Sequence, residues 1–268
     1  MERFLGLPPN ASTHGAELDS LLALVHWFML ILFVGWGLFF LYTLVRYRKG
    51  RNPVASYEGA KGHFSTYGEA AIVVVEVLLL AGFAVPIWAR RVNTPPPEDQ
   101  STVVRVVAEQ FAWNVHYPGK DGKFGRTDPK FMETGTNPLG IDPSDPAGKD
   151  DIATVNQLHL PVDKPVLVRL STKDVIHSFS LPVMRVKQDA IPGEVIPVYF
   201  QPNKTGNWEI ACAQLCGLSH YRMRGFLVVE SRADYEKWLA ENAPKPAAPA
   251  TPAPATPAPA PAAAPVTK

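Results

Sequence analysis

The chain has 268 residues, and its 26 lysine and arginine residues nearly balance its 25 aspartate and glutamate residues, for a formal net charge of +1. Such a balance excludes nucleic-acid binding through bulk positive charge. The two cysteines, Cys212 and Cys216, are too few for a disulfide framework or a four-thiolate zinc site. Neither belongs to a CxxCH motif, so we expect no c-type haem on this chain.

Strong hydrophobicity is confined to the first 90 residues. Residues 21–45 form an apolar run in which His26 is the only ionisable group, longer than the roughly 20 residues that cross a bilayer core. Residues 70–88 form a second, shorter run, which Glu76 interrupts. The polar residues 1–20 lack a basic segment and a convincing cleavage site, so the first run is interpreted as a retained anchor or an uncleaved signal-anchor.

The distribution of basic residues predicts the orientation of this hairpin. The linker between the two runs carries Arg46, Arg48, Lys49, Arg51 and Lys61, whereas the first twenty residues carry only Arg3. The positive-inside rule then predicts a bacterial-type inner-membrane protein with the linker on the cytoplasmic side and both termini on the outer side. Arg90 and Arg91, just after the second run, oppose this orientation weakly. We predict an outer N-terminal segment (1–19) and a transmembrane helical hairpin (20–90).

A β-rich domain is predicted over residues 100–242. Its short β-branched runs are separated by Gly and Pro turn signals, as in a β-sandwich or small barrel, and cover residues 103–113, 166–170, 195–201, 207–211 and 226–230. Residues 119–153 lack periodicity and are interpreted as a surface insertion, whose seven acids would form either an acidic docking face or a solvated loop. Ser231 is predicted to cap a terminal helix. Residues 243–268 are an Ala/Pro tract, predicted to be a disordered tail.

The densest chemistry lies in residues 212–223, which read CAQLCGLSHYRM. Two thiols (Cys212 and Cys216), the imidazole of His220 and the thioether of Met223 fall within this segment. Their spacing would also place all four on one face of a packed helix, and the cysteines could form a disulfide in an oxidising compartment. Because the flanks are strand-like and Gly217 lies in the middle, a metal-binding loop between two strands fits better.

The ligand types favour copper. Thiolate and thioether ligands select copper, and methionine is a poor ligand for zinc. A mononuclear blue-copper site uses a single cysteine, so two cysteines allow a second copper to share the thiolates. A further imidazole is then required, and His177, at the end of the strand-like segment 166–170, is the candidate.

These motifs resemble subunit II of a haem-copper cytochrome c oxidase, which carries a binuclear copper A centre. The matching segments are DVIHSF (174–179), QDAIPG (188–193) and the run from Cys212 to Phe226. The resemblance covers roughly residues 18–242, apart from the insertion. It implies an α+β membrane protein, in which a two-helix transmembrane hairpin supports a cupredoxin-like Greek-key β-barrel outside the membrane.

The resemblance also implies the ligands and the activity. Two copper ions would be bound by Cys212 and Cys216 as bridges and by His177, His220, Met223 and the backbone carbonyl of Gln214. The centre would relay electrons from cytochrome c, or from a membrane-bound cytochrome, to the haem of subunit I, where oxygen is reduced to water with proton pumping. Expected partners are subunit I, other oxidase subunits and membrane lipid.

Two positions depart from the family pattern. Gln214 replaces a glutamate that helps to bind Mg²⁺ at the subunit I interface, so the Mg²⁺ site is weakened here. Phe111 replaces the tryptophan that usually accepts electrons, and Trp113 remains. On one strand, residues 111 and 113 would share a face and form an aromatic patch for the donor; alternatively, both are core aromatics.

The resemblance assigns proton uptake to Glu69, one residue before the second apolar run; the alternative is a solvated helix-cap acid. Glu76, two turns further on, is predicted to be a protonated residue at a subunit interface. His116 and His159 are predicted to be surface or strand residues.

Two other functions are compatible with the sequence. The same copper module occurs in a copper A nitric oxide reductase, which the partner haem subunit would distinguish. A membrane-tethered copper carrier would lack the purple mixed-valence absorbance. Quinol oxidases share the fold but lack the ligands, so the presence of every ligand argues against them.

Overall fold

The computed structural model describes residues 6–59 and 62–244, and the predicted Ala/Pro tail lies almost entirely outside these residues. Helix α1 spans Gly15–Arg46. Helix α2 (Phe64–Leu79) continues through a π-helical turn (Leu80–Ala84) into α3 (Val85–Asn93). Both helical segments are long and apolar enough to cross a membrane, as predicted, and both extend beyond the apolar runs into polar flanks.

The π-helical turn has a local cause in Pro86. Proline lacks an N–H, and its ring crowds the carbonyl four residues earlier, here that of Gly82. A wider turn relieves this crowding without ending the helix. The two helical segments run antiparallel, because Arg90 near the end of the second contacts Glu17 at the start of the first.

The hairpin exposes its apolar side chains over most of its length. Phe33 is 77% exposed and Phe40 is 61% exposed, and the central window of α1 contains no buried residue. An apolar surface of this extent is expected to be covered by lipid or by another protein.

Ten strands form the β-domain. In chain order they are β1 (Thr102–Glu109), β2 (Ala112–Tyr117), β3 (Ile152–Val155), β4 (Gln157–Pro161), β5 (Val166–Thr172), β6 (His177–Leu181), β7 (Val186–Ala190), β8 (Ile196–Phe200), β9 (Gly206–Cys212) and β10 (Arg224–Glu230). They make two five-stranded sheets, with the orders β3-β2-β1-β5-β8 and β4-β10-β9-β6-β7. The pairs β1–β5 and β4–β10 are parallel, and the other pairs are antiparallel. The predicted class, two apolar helices followed by a β-domain of this kind, is confirmed.

The core lies between the two sheets and follows from alternation along the strands. On β1 the side chains of Val104, Val106 and Ala108 are fully buried, whereas the residues between them are partly exposed. Trp113 and Phe179 meet them from β2 and β6, with ring centroids 5.5 Å apart. Large aromatics in such a core contribute much of its apolar burial.

The predicted strand over residues 103–113 is two strands, because the chain reverses at Gln110 and Phe111. His177 likewise does not end the segment 166–170: it begins β6, a strand of its own. Both errors arise because strands this short carry little periodicity in the sequence.

A short N-terminal segment packs into the β-domain. The N–H of Ala11 donates to the carbonyl of Val183 over 2.8 Å, and that of Thr13 donates to Gln201 over 3.0 Å. Ala11 and Ser12 are fully buried. The predicted outer segment is therefore joined to the β-domain before α1 begins.

An ion pair joins the same two parts of the chain. Arg185 donates from Nε and Nη2 to the two carboxylate oxygens of Asp19, over 2.7 and 2.9 Å, and it donates further to the carbonyls of Pro8 and Pro182. The side chains of Arg185 and Asp19 are only 11% and 9% exposed. Since a buried ion pair needs hydrogen bonds on its remaining groups, these contacts make the pair a firm link between α1 and the β-domain.

The insertion is more ordered than a solvated loop. Asp142 and Asp145 both pair with Arg126, within the insertion itself. Asp151 is buried, and its carboxylate lies 2.6 Å from Nε2 of His116, which is also buried. His116 lies on β2, so the strand alternative is confirmed for it and the surface alternative is not. Asp142, Asp145 and Asp151 are thus each paired with a basic or imidazole side chain.

Helix α4 (Arg232–Asn242) closes the domain. As predicted, Ser231 caps it, with Oγ accepting from the N–H of Asp234. Trp238 of this helix stacks on His159 of β4, with ring centroids 4.1 Å apart.

Candidate metal centre

The segment that carries the cysteines is a loop between two paired strands. β9 ends at Cys212, β10 begins at Arg224, and these strands are antiparallel neighbours. A single 3₁₀ turn, His220–Arg222, lies in the loop. The predicted loop is confirmed, and the alternative of four side chains packed along one helix face is wrong.

The two cysteines face each other without a bond. Their Sγ atoms are 3.8 Å apart, and both residues are free thiols. A disulfide would require about 2.05 Å. The disulfide alternative is therefore wrong for this structure.

The other predicted ligands surround the two sulfurs. Nδ1 of His177 lies 3.9 Å from Sγ of Cys212, and Nδ1 of His220 lies 3.6 Å from Sγ of Cys216. The Sδ atom of Met223 is 3.7 Å from Sγ of Cys216. The carbonyl oxygen of Gln214 is 3.3 Å from Sγ of Cys212. The structure thus brings together all six residues predicted from the sequence.

These separations suit metal coordination. A metal held at about 2.3 Å from sulfur and about 2.0 Å from nitrogen, with tetrahedral angles, separates those two donors by about 3.5 Å. The ligand atoms of His177, Cys212 and Cys216 all lie within 4.8 Å of one another. His177, Cys216 and Met223 are buried, so bulk water is excluded from much of the site. The donor set, two thiols with imidazoles and a thioether, fits a soft metal.

Asp174 holds one imidazole in place. Its Oδ1 accepts from Nε2–H of His177 over 2.9 Å, which leaves Nδ1 free to face the sulfurs. The carboxylate also accepts from the N–H groups of Gln110 and Val175, over 2.7 Å each. Sequence reasoning gave Asp174 no role of its own, although its position three residues before His177 was the available signal.

The two thiols differ in acidity. Burial opposes ionisation of Cys212, but its contacts with the His177 ring and with nearby backbone groups lower its pKa to about 6. Burial and the neighbouring Cys212 raise the pKa of Cys216 to about 11. Cys212 thus ionises readily to a thiolate. Cys216 loses its proton only when a cation compensates the charge of the resulting thiolate.

The two aromatics do not share a surface. Trp113 is fully buried, and its ring centroid lies 6.2 Å from that of His177. Phe111 lies in the turn before β2, and its ring lies next to Gly217 of the ligand loop. The expected aromatic patch of residues 111 and 113 is wrong: Trp113 is a core residue, and Phe111 is partly exposed.

Glu69 lies within α2 and not before it, and the residue at the N-cap is His63, so the helix-cap alternative is wrong. The Glu69 side chain lines an apolar groove of about 460 Å³ between the two helical segments, together with Gly35 and Trp36. Glu76 is exposed further along α2. Both acids belong to the hairpin, away from the metal loop.

The fold and the site define a membrane-anchored metalloprotein with a cupredoxin-like domain. Residues 102–231 match the family described as cytochrome c oxidase subunit II, periplasmic domain. An alternative cytochrome c oxidase subunit 2 of Bradyrhizobium diazoefficiens is 33% identical over 232 residues, which cover 86% of this chain and 82% of the relative. Cytochrome c oxidase subunit 2 of Cereibacter sphaeroides is 28% identical, covering 88% and 79%.

Among solved structures, the periplasmic domain of subunit II of the Bradyrhizobium japonicum cytochrome oxidase is 28% identical, with a TM-score of 0.41 over 56% of this chain and 96% of that one. The chain belongs to the cytochrome c oxidase subunit 2 family. It is therefore a subunit of an oxidoreductase complex.

Proposed function

We propose that this chain receives electrons from a cytochrome and passes them to the haem of subunit I through a binuclear copper A centre. The observation that carries the proposal is the pair of thiols 3.8 Å apart, each with an imidazole nitrogen within 3.9 Å. When bound, two coppers bridged by thiolates would supply rapid one-electron uptake and release with little change in bond lengths.

Each ligand has a separate task. Cys212 and Cys216 would hold the metals through their thiolates, and His177 and His220 would each add an imidazole. Met223 and the backbone carbonyl of Gln214 would supply the remaining donor atoms. A mononuclear blue-copper site would use one cysteine and leave the second without a role.

The protein keeps these ligands rigid. His177 and Cys212 lie on paired strands, since β6 and β9 are joined through Phe179 and Cys212. Asp174 fixes the orientation of His177, and burial of Cys216 and Met223 prevents water from competing for the metals. Rigid, partly dry ligands reduce reorganisation during electron transfer.

Phe111 and Trp113 are proposed to connect the donor to this centre. Phe111 is partly exposed and lies next to the ligand loop, whereas Trp113 lies behind His177. The donor, cytochrome c or a membrane-bound cytochrome, would dock over Phe111. Exposed apolar side chains of the loop, among them Leu218 at 96% exposure, suit a contact surface for a protein partner.

The β-domain is proposed to lie on the periplasmic side of the inner membrane, with both ends of the hairpin on that side. Ala11, before α1, and Arg91, near the end of α3, both bond to the β-domain. The basic linker then lies in the cytoplasm. Glu69 lies close to the linker and is proposed to pass protons from that side into subunit I.

Gln214 is proposed to weaken a Mg²⁺ site at the subunit I interface. Its side chain is exposed, so it is free to meet a partner subunit. An amide oxygen can bind Mg²⁺, but it lacks the charge of a carboxylate.

Metal content and electron paramagnetic resonance of the full-length chain in the purified oxidase test the proposal. We expect two coppers per chain with delocalised hyperfine structure, and Cys216→Ser is expected to leave one copper or none. One copper with a four-line blue-copper signal in the unsubstituted protein would contradict the binuclear assignment.

A further inference from the structure

A cavity of about 580 Å³ lies where the hairpin meets the β-domain, and we call it the junction cavity. Its apolar wall comes from both helical segments, and its polar wall comes from the β-domain and the end of α3. The residues used below are Leu18, Ile87, Trp88, His14, Arg91 and Tyr199. Leu18 lies in the first turn of α1, and Ile87 and Trp88 lie in α3, near the end of the second helical segment, so the cavity opens at the membrane boundary.

Arg91 gives the cavity a positive charge, which the carboxylate of Glu17 offsets only through space. Its Nη2 donates to the carbonyl of Tyr199 over 2.7 Å, and its guanidinium lies 4.9 Å from the centre of the Tyr199 ring. No carboxylate pairs with it among the described residues, and none lines the cavity. Arg185 also lines the cavity, but Asp19 neutralises it. The remaining N–H groups of Arg91 can therefore bind an anion.

Two polar atoms in the wall are buried without hydrogen-bond partners in the part of the chain that the structure describes: Nδ1 of His14 and the hydroxyl of Tyr199. Such atoms are costly unless something bonds to them. Burial, assisted by Arg91, lowers the pKa of His14 to about 4, so its ring is neutral at pH 7 and can accept a hydrogen bond as well as donate one. Lys187 also lines the cavity, but it pairs with Asp189. The cavity thus offers Arg91 as a charged donor without a bonded carboxylate, beside two neutral polar groups.

We propose that the junction cavity binds the headgroup of one anionic phospholipid, with phosphate on Arg91 and Tyr199 and an acyl chain along Leu18, Ile87 and Trp88. A free phosphate would satisfy the same polar groups, but it would leave the apolar wall exposed. A phospholipid covers both walls at the depth where its phosphate and its chains meet.

The test uses the purified oxidase complex that contains this chain, reconstituted in phosphatidylcholine vesicles with a photoactivatable phosphatidylglycerol whose diazirine is on the acyl chain. Labelling is expected within residues 84–92. Arg91→Gln should reduce it about tenfold, the effect of one charge-assisted hydrogen bond. Arg91→Lys should retain most of it. The matched control is Arg90→Gln, because Arg90 pairs with Glu17 and does not line the junction cavity.

Equal labelling in Arg91→Gln and the unsubstituted complex would overturn the proposal, as would equal labelling by a phosphatidylcholine probe. Loss of labelling on adding millimolar inorganic phosphate would instead assign the cavity to a free anion and overturn the lipid. Labelling in the middle of α1 measures the hairpin's contact with the bilayer separately. If the middle of α1 is not labelled, the proposed insertion of the hairpin in the bilayer is contradicted, and with it the lipid site.

Discussion

Nε2–H of His177 donates to Asp174 over 2.9 Å, and the same ring directs Nδ1 towards the thiol of Cys212 at 3.9 Å. One carboxylate therefore decides which nitrogen is available to a metal. Asp174 is itself held by two backbone N–H groups, so the imidazole cannot turn without breaking several hydrogen bonds.

Asp174→Ala is expected to weaken copper binding by about 10- to 100-fold, because the His177 ring loses its orientation and basicity. Competition with a chelator of known affinity measures this. Asp121→Ala, which removes an exposed carboxylate from the insertion, is the control and should leave copper affinity unchanged. Equal affinities in the two variants would mean that Asp174 has only a structural role.

Met223→Leu is expected to retain two coppers and to raise the reduction potential. Leucine fills a similar buried volume, whereas loss of a donor atom destabilises the oxidised metal pair more than the reduced one. Redox titration together with metal analysis checks both points, with Met132→Leu in the insertion as the control. Loss of a copper from Met223→Leu would show that the thioether is needed for occupancy.

Phe111→Ala is expected to slow electron transfer from the donor to the metal centre while copper content stays the same. The partly exposed Phe111 ring lies next to the ligand loop, so its removal lengthens the path. Stopped-flow reduction measures the rate, and Phe226→Ala, which removes an exposed aromatic ring of β10, is the control.

The same measurement across an ionic-strength series identifies the donor. Rates that fall with salt indicate a soluble basic cytochrome steered by charge. If the rate changes neither with salt nor in Phe111→Ala, the donor is bound elsewhere within a fixed assembly.

Glu69→Gln is expected to slow steady-state oxygen consumption without changing the copper spectrum, since an amide cannot pass on a proton. The control is Glu241→Gln, the same change on the exposed face of α4. Unaltered oxygen consumption in Glu69→Gln would leave this carboxylate without a part in proton uptake.

Asp19→Ala is expected to lower the free energy of unfolding by about 3 kcal/mol, because it leaves the buried charge of Arg185 unpaired. Glu17→Ala breaks the exposed pair with Arg90 and should cost at most about 1 kcal/mol. Urea titration of the full-length chain in detergent, followed by near-UV circular dichroism, compares them. Equal losses would show that the Arg185–Asp19 pair is not a firm link.

The sequence predicted the ligand cluster well because Cys212, Cys216, His220 and Met223 lie on one loop, where spacing alone determines proximity. It also predicted the two apolar helices, since their length and composition leave few alternatives. The hydrogen bond from Gln110 to Asp174 was beyond its reach, because it depends on how two separate loops meet. Trp113 does not share a face with Phe111, because the chain reverses at Phe111. A segment this short has too little periodicity to reveal the reversal in the sequence.

The pairing of Ala11 with Val183 constrains how the protein is made. Residue 11 precedes both membrane helices, and residue 183 follows them, so these two parts of the chain meet only if the hairpin has crossed the bilayer an even number of times. In the proposed topology, the segment around Ala11 must remain on the periplasmic side until the β-domain, which follows the hairpin in the chain, has been synthesised. If the first helix were inserted in the reverse direction, the segment around Ala11 would lie on the wrong side of the membrane and could not cover this part of the β-domain. Incorrect insertion would therefore leave the β-domain incompletely folded.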